Sequence, residues 1–197
     1  MIKPTFRVRG FTLVEMIVTL VILAILAAVA IPSFTQMLHR GGVSSASNAL
    51  LADLAYARTE AVSRHTNVSV CPTTTGNSCA ANPAYDSGWL IYTYTPGHAV
   101  SGVAYDKTSA DNTILRWTKA RDGVSIQAKS SSVISYGQQG QVSSGSTAAD
   151  FYVCYRPKGD TGTGSSTASV RGSEVKVGSS GSVVTSNLGT MSSCVPG

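Results

Sequence analysis

The sequence predicts an α+β protein: one long N-terminal helix followed by a β-rich globular head. Three observations carry this. Apolar residues concentrate between Phe11 and Phe34. A helical apolar stripe resumes after Ser44. From residue 67 onward the chain is rich in Ser, Thr, Gly and Tyr, with short aromatic and β-branched runs set between turn residues.

The 197 residues suit one ordinary domain plus an appendage. Charged residues make up 13%, well below the average for soluble proteins, so charge-driven disorder is not expected. Collagen-like, coiled-coil and multi-span membrane classes are excluded by the same composition. The formal charge is +5, and three of those positive charges, Lys3, Arg7 and Arg9, precede residue 11 with no acid among them. The remainder carries only +2, so the basic pI of about 9.1 is not in itself a nucleic-acid signal.

Residues 1–10 form a short basic segment. From Phe11 to Ile31 there is one charge, Glu15. As a helix at ~1.5 Å per residue this segment spans roughly 30 Å, the thickness of a bilayer core. The basic flank is expected to stay cytoplasmic and the rest of the chain to lie beyond the membrane. A simple one-span anchor is one rival reading, and an ordinary secretory signal is the other, with Ala28-Val29-Ala30 as a small-x-small cleavage site. The length of the apolar run argues against it, and so does Glu15. A carboxylate in a bilayer costs ~2.5–3.5 kcal/mol, and a plain signal gains nothing from it.

Pro32 is expected to kink or weaken the helix, and Gly41-Gly42 to give a second soft point. Leu50, Leu54, Ala57 and Ala61 then recur on one helical face, with Asp53, Arg58, Glu60 and Arg64 off it. That stripe is expected to pack on the chain's own β head. Strands are expected at Val68–Cys71, Trp89–Tyr94, Ile114–Trp117, Val124–Ala128, Val133–Tyr136, Phe151–Tyr155, Glu174–Val177 and Val183–Thr185. Thr161–Ala168 is a small-residue run expected to be a mobile loop.

Two groups of residues carry a resemblance. Gly10-Phe11-Thr12-Leu13-Val14-Glu15, behind a basic leader and ahead of an apolar helix reaching Pro32, resembles the processing site of type IV pilin-like proteins. The resemblance implies that a prepilin peptidase removes leader 1–10 by cutting between Gly10 and Phe11, and that Phe11 is then N-methylated. Residues 11–34 would be kept as a membrane and filament-core helix and 35–66 as its amphipathic continuation, with the head at 67–197. Glu15 would pair with a neighbouring subunit's N-terminal amine, and Pro32 would belong to the same assembly element. Second, Ala57 to Arg64 with Val68-Ser69-Val70-Cys71 resembles the GspH/FimT/FimU group of minor pilins and pseudopilins. Gly88-Trp89-Leu90-Ile91 and Ile134-Ser135-Tyr136 with Gly137 and Gly140 match it more loosely. The implied fold is pilin-like, with a head of two small antiparallel sheets.

The implied function is that of a minor pilin in a priming or tip complex, with effects on twitching motility, adhesion or DNA uptake. Its partners would be other minor pilins, the major pilin, the inner-membrane assembly platform and membrane lipid. It would reside in the inner membrane and in the surface filament. The alternatives are a minor pseudopilin of a type II secretion system and a DNA-binding receptor pilin. Some FimT-like proteins bind DNA through a C-terminal GRxR motif, but the comparable stretch here, Gly178 to Thr185, has no arginine. The densest cations are Arg116, Lys119 and Arg121, with Arg156 and Lys158 as a second pair. Their dispersal disfavours a phosphate-binding face.

Four cysteines allow three pairings. In an oxidising compartment disulfides persist, and Cys71–Cys79 with Cys154–Cys194 is the expected set. No CxxC spacing or adjacent His suggests zinc. His39, His65 and His98 lack a recognisable carboxylate partner, and no GxSxG, P-loop or HExxH pattern occurs. No enzyme activity and no cofactor or metal is expected.

Overall fold

A computed structural model describes residues 10–94, 102–119, 121–129, 133–143 and 149–197. The basic leader residues Lys3, Arg7 and Arg9, and also His98, lie outside the described residues. The chain divides into two compact units, Met1–Leu38 and His39–Gly197. Among the described residues one helix, α1 (Leu13–Arg64), contributes to both units, and eight strands follow it.

In the first unit α1 presents apolar side chains on every side, none of them buried and all but Ala27 exposed. The helix runs on through Pro32 and through Gly41-Gly42, so neither ends it. Proline removes one donor and crowds one carbonyl, a local loss of about 3 kcal/mol or more that the flanking turns absorb. The Thr35 hydroxyl donates to the Pro32 carbonyl at 2.9 Å, closing the turn after the ring.

In the second unit the helix changes character. Val43, Ala46, Leu50, Leu54, Ala57 and Ala61 recur every three or four residues and are buried. They pack on two antiparallel four-stranded sheets. The first has the order β3 (Asn112–Lys119), β2 (Gly88–Tyr94), β1 (Val68–Pro72), β5 (Ile134–Tyr136). The second has the order β4 (Val124–Ala128), β6 (Asp150–Tyr155), β7 (Ser173–Val177), β8 (Val183–Asn187). One face of each sheet joins the helix in a shared core containing Val70, Trp89, Ile91, Ile126, Phe151 and Val175. The other face of the first sheet holds Cys71, Leu90, Tyr92 and Tyr94 in a second core. Both tyrosine hydroxyls there donate to the Val103 carbonyl.

The turns of the two sheets meet at α1. Arg58 donates from Nε to the Gly140 carbonyl at 2.9 Å and from Nη2 to the Ser180 carbonyl at 3.2 Å. Gly181 has φ +76°, and a Cβ there would lie 1.9 Å from the Gly140 carbonyl oxygen. Only glycine lets these two backbones approach so closely.

The run Thr161–Ala168 is not the free loop its composition suggests. Ser165 bridges to Tyr155 and Ser166 to Met191, and Cys194 N–H donates to the Gly164 carbonyl. Small residues here permit close backbone approach to the C-terminal segment: a Cβ on Gly164 would sit 2.7 Å from the Tyr155 carbonyl oxygen.

Candidate functional site

The helix start is built for exposure. Gly10 precedes the helix, is exposed, and has nothing within 4 Å of where a Cβ would stand. Phe11 is 75% exposed. Thr12 caps α1: its Oγ1 accepts from the Glu15 N–H at 3.2 Å, and its carbonyl accepts from the Met16 N–H. Thr12-Leu13-Val14-Glu15 therefore reads as the T-x-x-E of a capping box. The Glu15 carboxylate sits in the first helical turn, where the helix dipole favours negative charge. This local role for Thr12 was legible in the sequence but is hidden by the apolar run around it.

The second feature holds α1 to the first sheet. Asp53 is buried and accepts three hydrogen bonds: from Trp89 Nε1 at 2.9 Å, Arg116 Nη1 at 2.7 Å and Thr118 Oγ1 at 2.5 Å. The β2–β3 register explains this convergence. Trp89 lies opposite Thr118 and Ile91 opposite Arg116, so the three donors share one face. A bulge at Leu115 shifts the parity beyond that point. The Arg116 guanidinium also lies 4.0 Å above the Tyr56 ring. A buried carboxylate satisfied by a cation and two neutral donors fits a structural anchor.

Asp53 was expected off the buried stripe. It lies three residues after Leu50 and four before Ala57, which puts it on the stripe's edge. Its spacing could have revealed it, while its charge concealed it.

The cations considered for DNA contact are not brought together. Strand alternation sends Arg116 toward the helix and Lys119 to the opposite face of β3, where its Nζ lies 5.1 Å from the Trp117 ring centre. Arg121 donates to Ser45 Oγ at 2.7 Å. Arg156 is paired with Asp86 and also donates to the Gly162 carbonyl. Lys158 is exposed in a turn. His39 stacks on Tyr155 with ring centres 4.0 Å apart, and His65 closes the helix in the left-handed region.

The disulfides are Cys71–Cys79 and Cys154–Cys194, and among the described residues no cysteine is free. The first closes the loop after β1, and the second ties the C-terminal segment to β6. Among the described residues no cluster of three His, Cys, Asp or Glu could hold a metal. Burial pushes the Tyr85 and Tyr136 phenols well above their ordinary range, with the neighbouring tyrosine adding to the effect on Tyr85 and the Arg58 cation opposing it on Tyr136. Such phenols are neutral core groups rather than acids or bases.

Comparison with known proteins gives two family matches. The model of the type II transport protein GspH matches residues 46–187, and that of the prokaryotic N-terminal methylation motif matches residues 5–31. Two crystal structures of the type IV minor pilin FimU from Pseudomonas aeruginosa share this fold at 20% identity. One covers 77% of this chain and 98% of its own, with a TM-score of 0.50. The other covers 79% and 96%, with a TM-score of 0.51. No curated protein matches the sequence.

Proposed function

Since this chain belongs to the GspH family and carries an N-terminal methylation motif, which makes it a minor pilin or pseudopilin, we propose that it serves a type IV pilus as a minor pilin in a priming or tip complex. One observation carries the proposal: the methylation motif leads directly into the same helix whose second half forms the core of a GspH-type head. Assembly is the mechanism. Prepilin peptidase cuts between Gly10 and Phe11, and Phe11 is methylated. The apolar half of α1, exposed on every side, anchors the subunit in the inner membrane with its head in the periplasm. The assembly platform then transfers that helix into a bundle with the helices of other minor pilins and the major pilin. There the Glu15 carboxylate needs a cation, and a neighbour's N-terminal amine supplies it. Pro32 gives the helix a point of local adjustment during this transfer.

The fold of FimU, a type IV minor pilin, supports the pilus assignment. A second reading, a minor pseudopilin of a type II secretion system, is favoured by the description of the matching family. DNA is a disfavoured partner in either case, since Arg116 and Arg156 are already committed to carboxylates.

Intact-mass and N-terminal analysis of protein from membranes and from sheared surface filaments tests the proposal. The expected result is a methylated Phe11 terminus with protein in the filament fraction. The same terminus confined to the envelope, with a secretion defect on deletion, would favour the second reading. A start at Ile31 would overturn both.

A further inference from the structure

A groove of about 510 Å³ in the second unit is lined on the helix side by Arg40, Ser44 and Asn48 and on the sheet side by Arg171, Ser173 and Asn187. Two features suit it to an anion. Its lining contains two arginines and no acid. The nearest acid in sequence, Glu174, alternates to the other face of β7, where it accepts from Ser186 and lies 3.5 Å from Lys176. Arg40 is also held in place, because its Nε donates to the Ser169 carbonyl. That bond leaves Nη1 and Nη2 outside it, and these are the forked donors that match a phosphate's oxygens.

The chain's own order says which phosphate. Between Phe11 and His39 there is no lysine or arginine, so Arg40 is the first cation after the apolar segment. Apolar residues continue in the sequence past Ile31 to Leu38, and Arg40 follows two residues later. Phe34, Met37 and Leu38 in that interval are exposed and apolar. A cation that directly follows a membrane segment in sequence belongs at the interface, where lipid phosphates lie. The groove has the volume of a small-ligand site, far larger than one inorganic phosphate needs. Its hydroxyls and amides would serve the glycerol or other polar headgroup atoms.

We infer that this groove binds the phosphate headgroup of a glycerophospholipid from the leaflet into which α1 emerges, holding the head against the membrane before assembly. The inference rests on the membrane anchorage proposed above.

The test uses the full chain in a nonionic detergent, titrated with dihexanoylphosphatidylglycerol, glycerol phosphate, inorganic phosphate and a single-stranded oligonucleotide. The expected result is saturable binding of the short-chain lipid, roughly tenfold weaker in Arg40→Gln and in Arg171→Gln, as loss of one charge-assisted contact implies. Lys158→Gln should bind as the parent does. Thermal melts control for folding; if Arg40→Gln is destabilised through Ser169, Arg171→Gln and Asn187→Ala decide. Absence of saturable binding would overturn the inference, and so would binding indifferent to these substitutions. Equal binding of glycerol phosphate or inorganic phosphate would overturn the lipid as its source, and tighter binding of the oligonucleotide would replace it with nucleic acid. Flotation with liposomes separates the two readings. A chain that floats but does not bind would overturn the groove alone, whereas one that binds but does not float would uphold the groove and overturn the anchorage.

Discussion

Asp53 and Trp89 stand 36 residues apart and are joined by a 2.9 Å hydrogen bond between a helix and a strand, both side chains buried. This bond, with those from Arg116 and Thr118, fixes α1 on the first sheet. Asp53→Ala should cost about 3 kcal/mol, because it strands the Trp89 N–H in the core and leaves Arg116 without its anion. Arg116→Ala should cost only about 1 kcal/mol, since that side chain is 45% exposed and Asp53 keeps two donors. Denaturant melts of the two variants check the order. Equal losses would show that the cation, not the carboxylate, is the anchor.

Glu15→Ala should leave the melting of the head unchanged, because Glu15 contributes nothing to the head's core. Incorporation into filaments should fall sharply. Thr12→Val should show a milder defect, from loss of a helix cap worth about 1 kcal/mol. Filament fractions probed for each variant give the measurement, and normal incorporation of Glu15→Ala would sink the pairing role.

Two glycines separate backbone strain from collision. Gly159→Ala meets open space, so its cost should be the left-handed penalty alone, about 1–2 kcal/mol. Gly181→Ala adds an overlap with the Gly140 carbonyl and must push apart the turns that Arg58 clasps. It should be clearly the more destabilising in a thermal melt.

Alkaline pH should unfold the head. Tyr85, Tyr92 and Tyr136 have phenols raised above the ordinary value, chiefly by burial. In the unfolded chain they lose protons near pH ~10, while in the folded head they keep them. The folded state thus binds more protons, so stability is complete below pH ~10 and declines as pH rises beyond it. Phenolate absorbance should show three of the eight tyrosines titrating only as the circular dichroism signal is lost.

The two disulfides should differ in worth. Chain-entropy reasoning gives about 2.6 kcal/mol for the loop of 8-residue separation and about 4 kcal/mol for that of 40. Paired Cys→Ala variants compared by melting would test that order.

Much of this was legible in the sequence because it rests on periodicity. The stripe Leu50, Leu54, Ala57, Ala61 and the alternating β runs are local patterns, and they gave the helix, the strands and the burial of the stripe. Local pattern says nothing of register. Arg116, Lys119 and Arg121 are close in sequence yet diverge in space, because a strand turns successive side chains to opposite faces. Asp53 shows the converse: a charged residue reads as solvated until three donors from two distant strands converge on it. The Thr161–Ala168 run was misread for a related reason. Composition reports what a segment tends toward alone, and neighbours overrule it.

Cys154 and Cys194 enclose β7, β8 and the segment Thr161–Ala168 within one covalent ring. A single peptide bond cut anywhere inside that ring would open the chain without releasing a fragment. The nicked protein would differ from the intact one by one water in mass and would separate into two pieces only after reduction. Wherever a protease reaches it, this third of the head keeps its parts even when its backbone is broken.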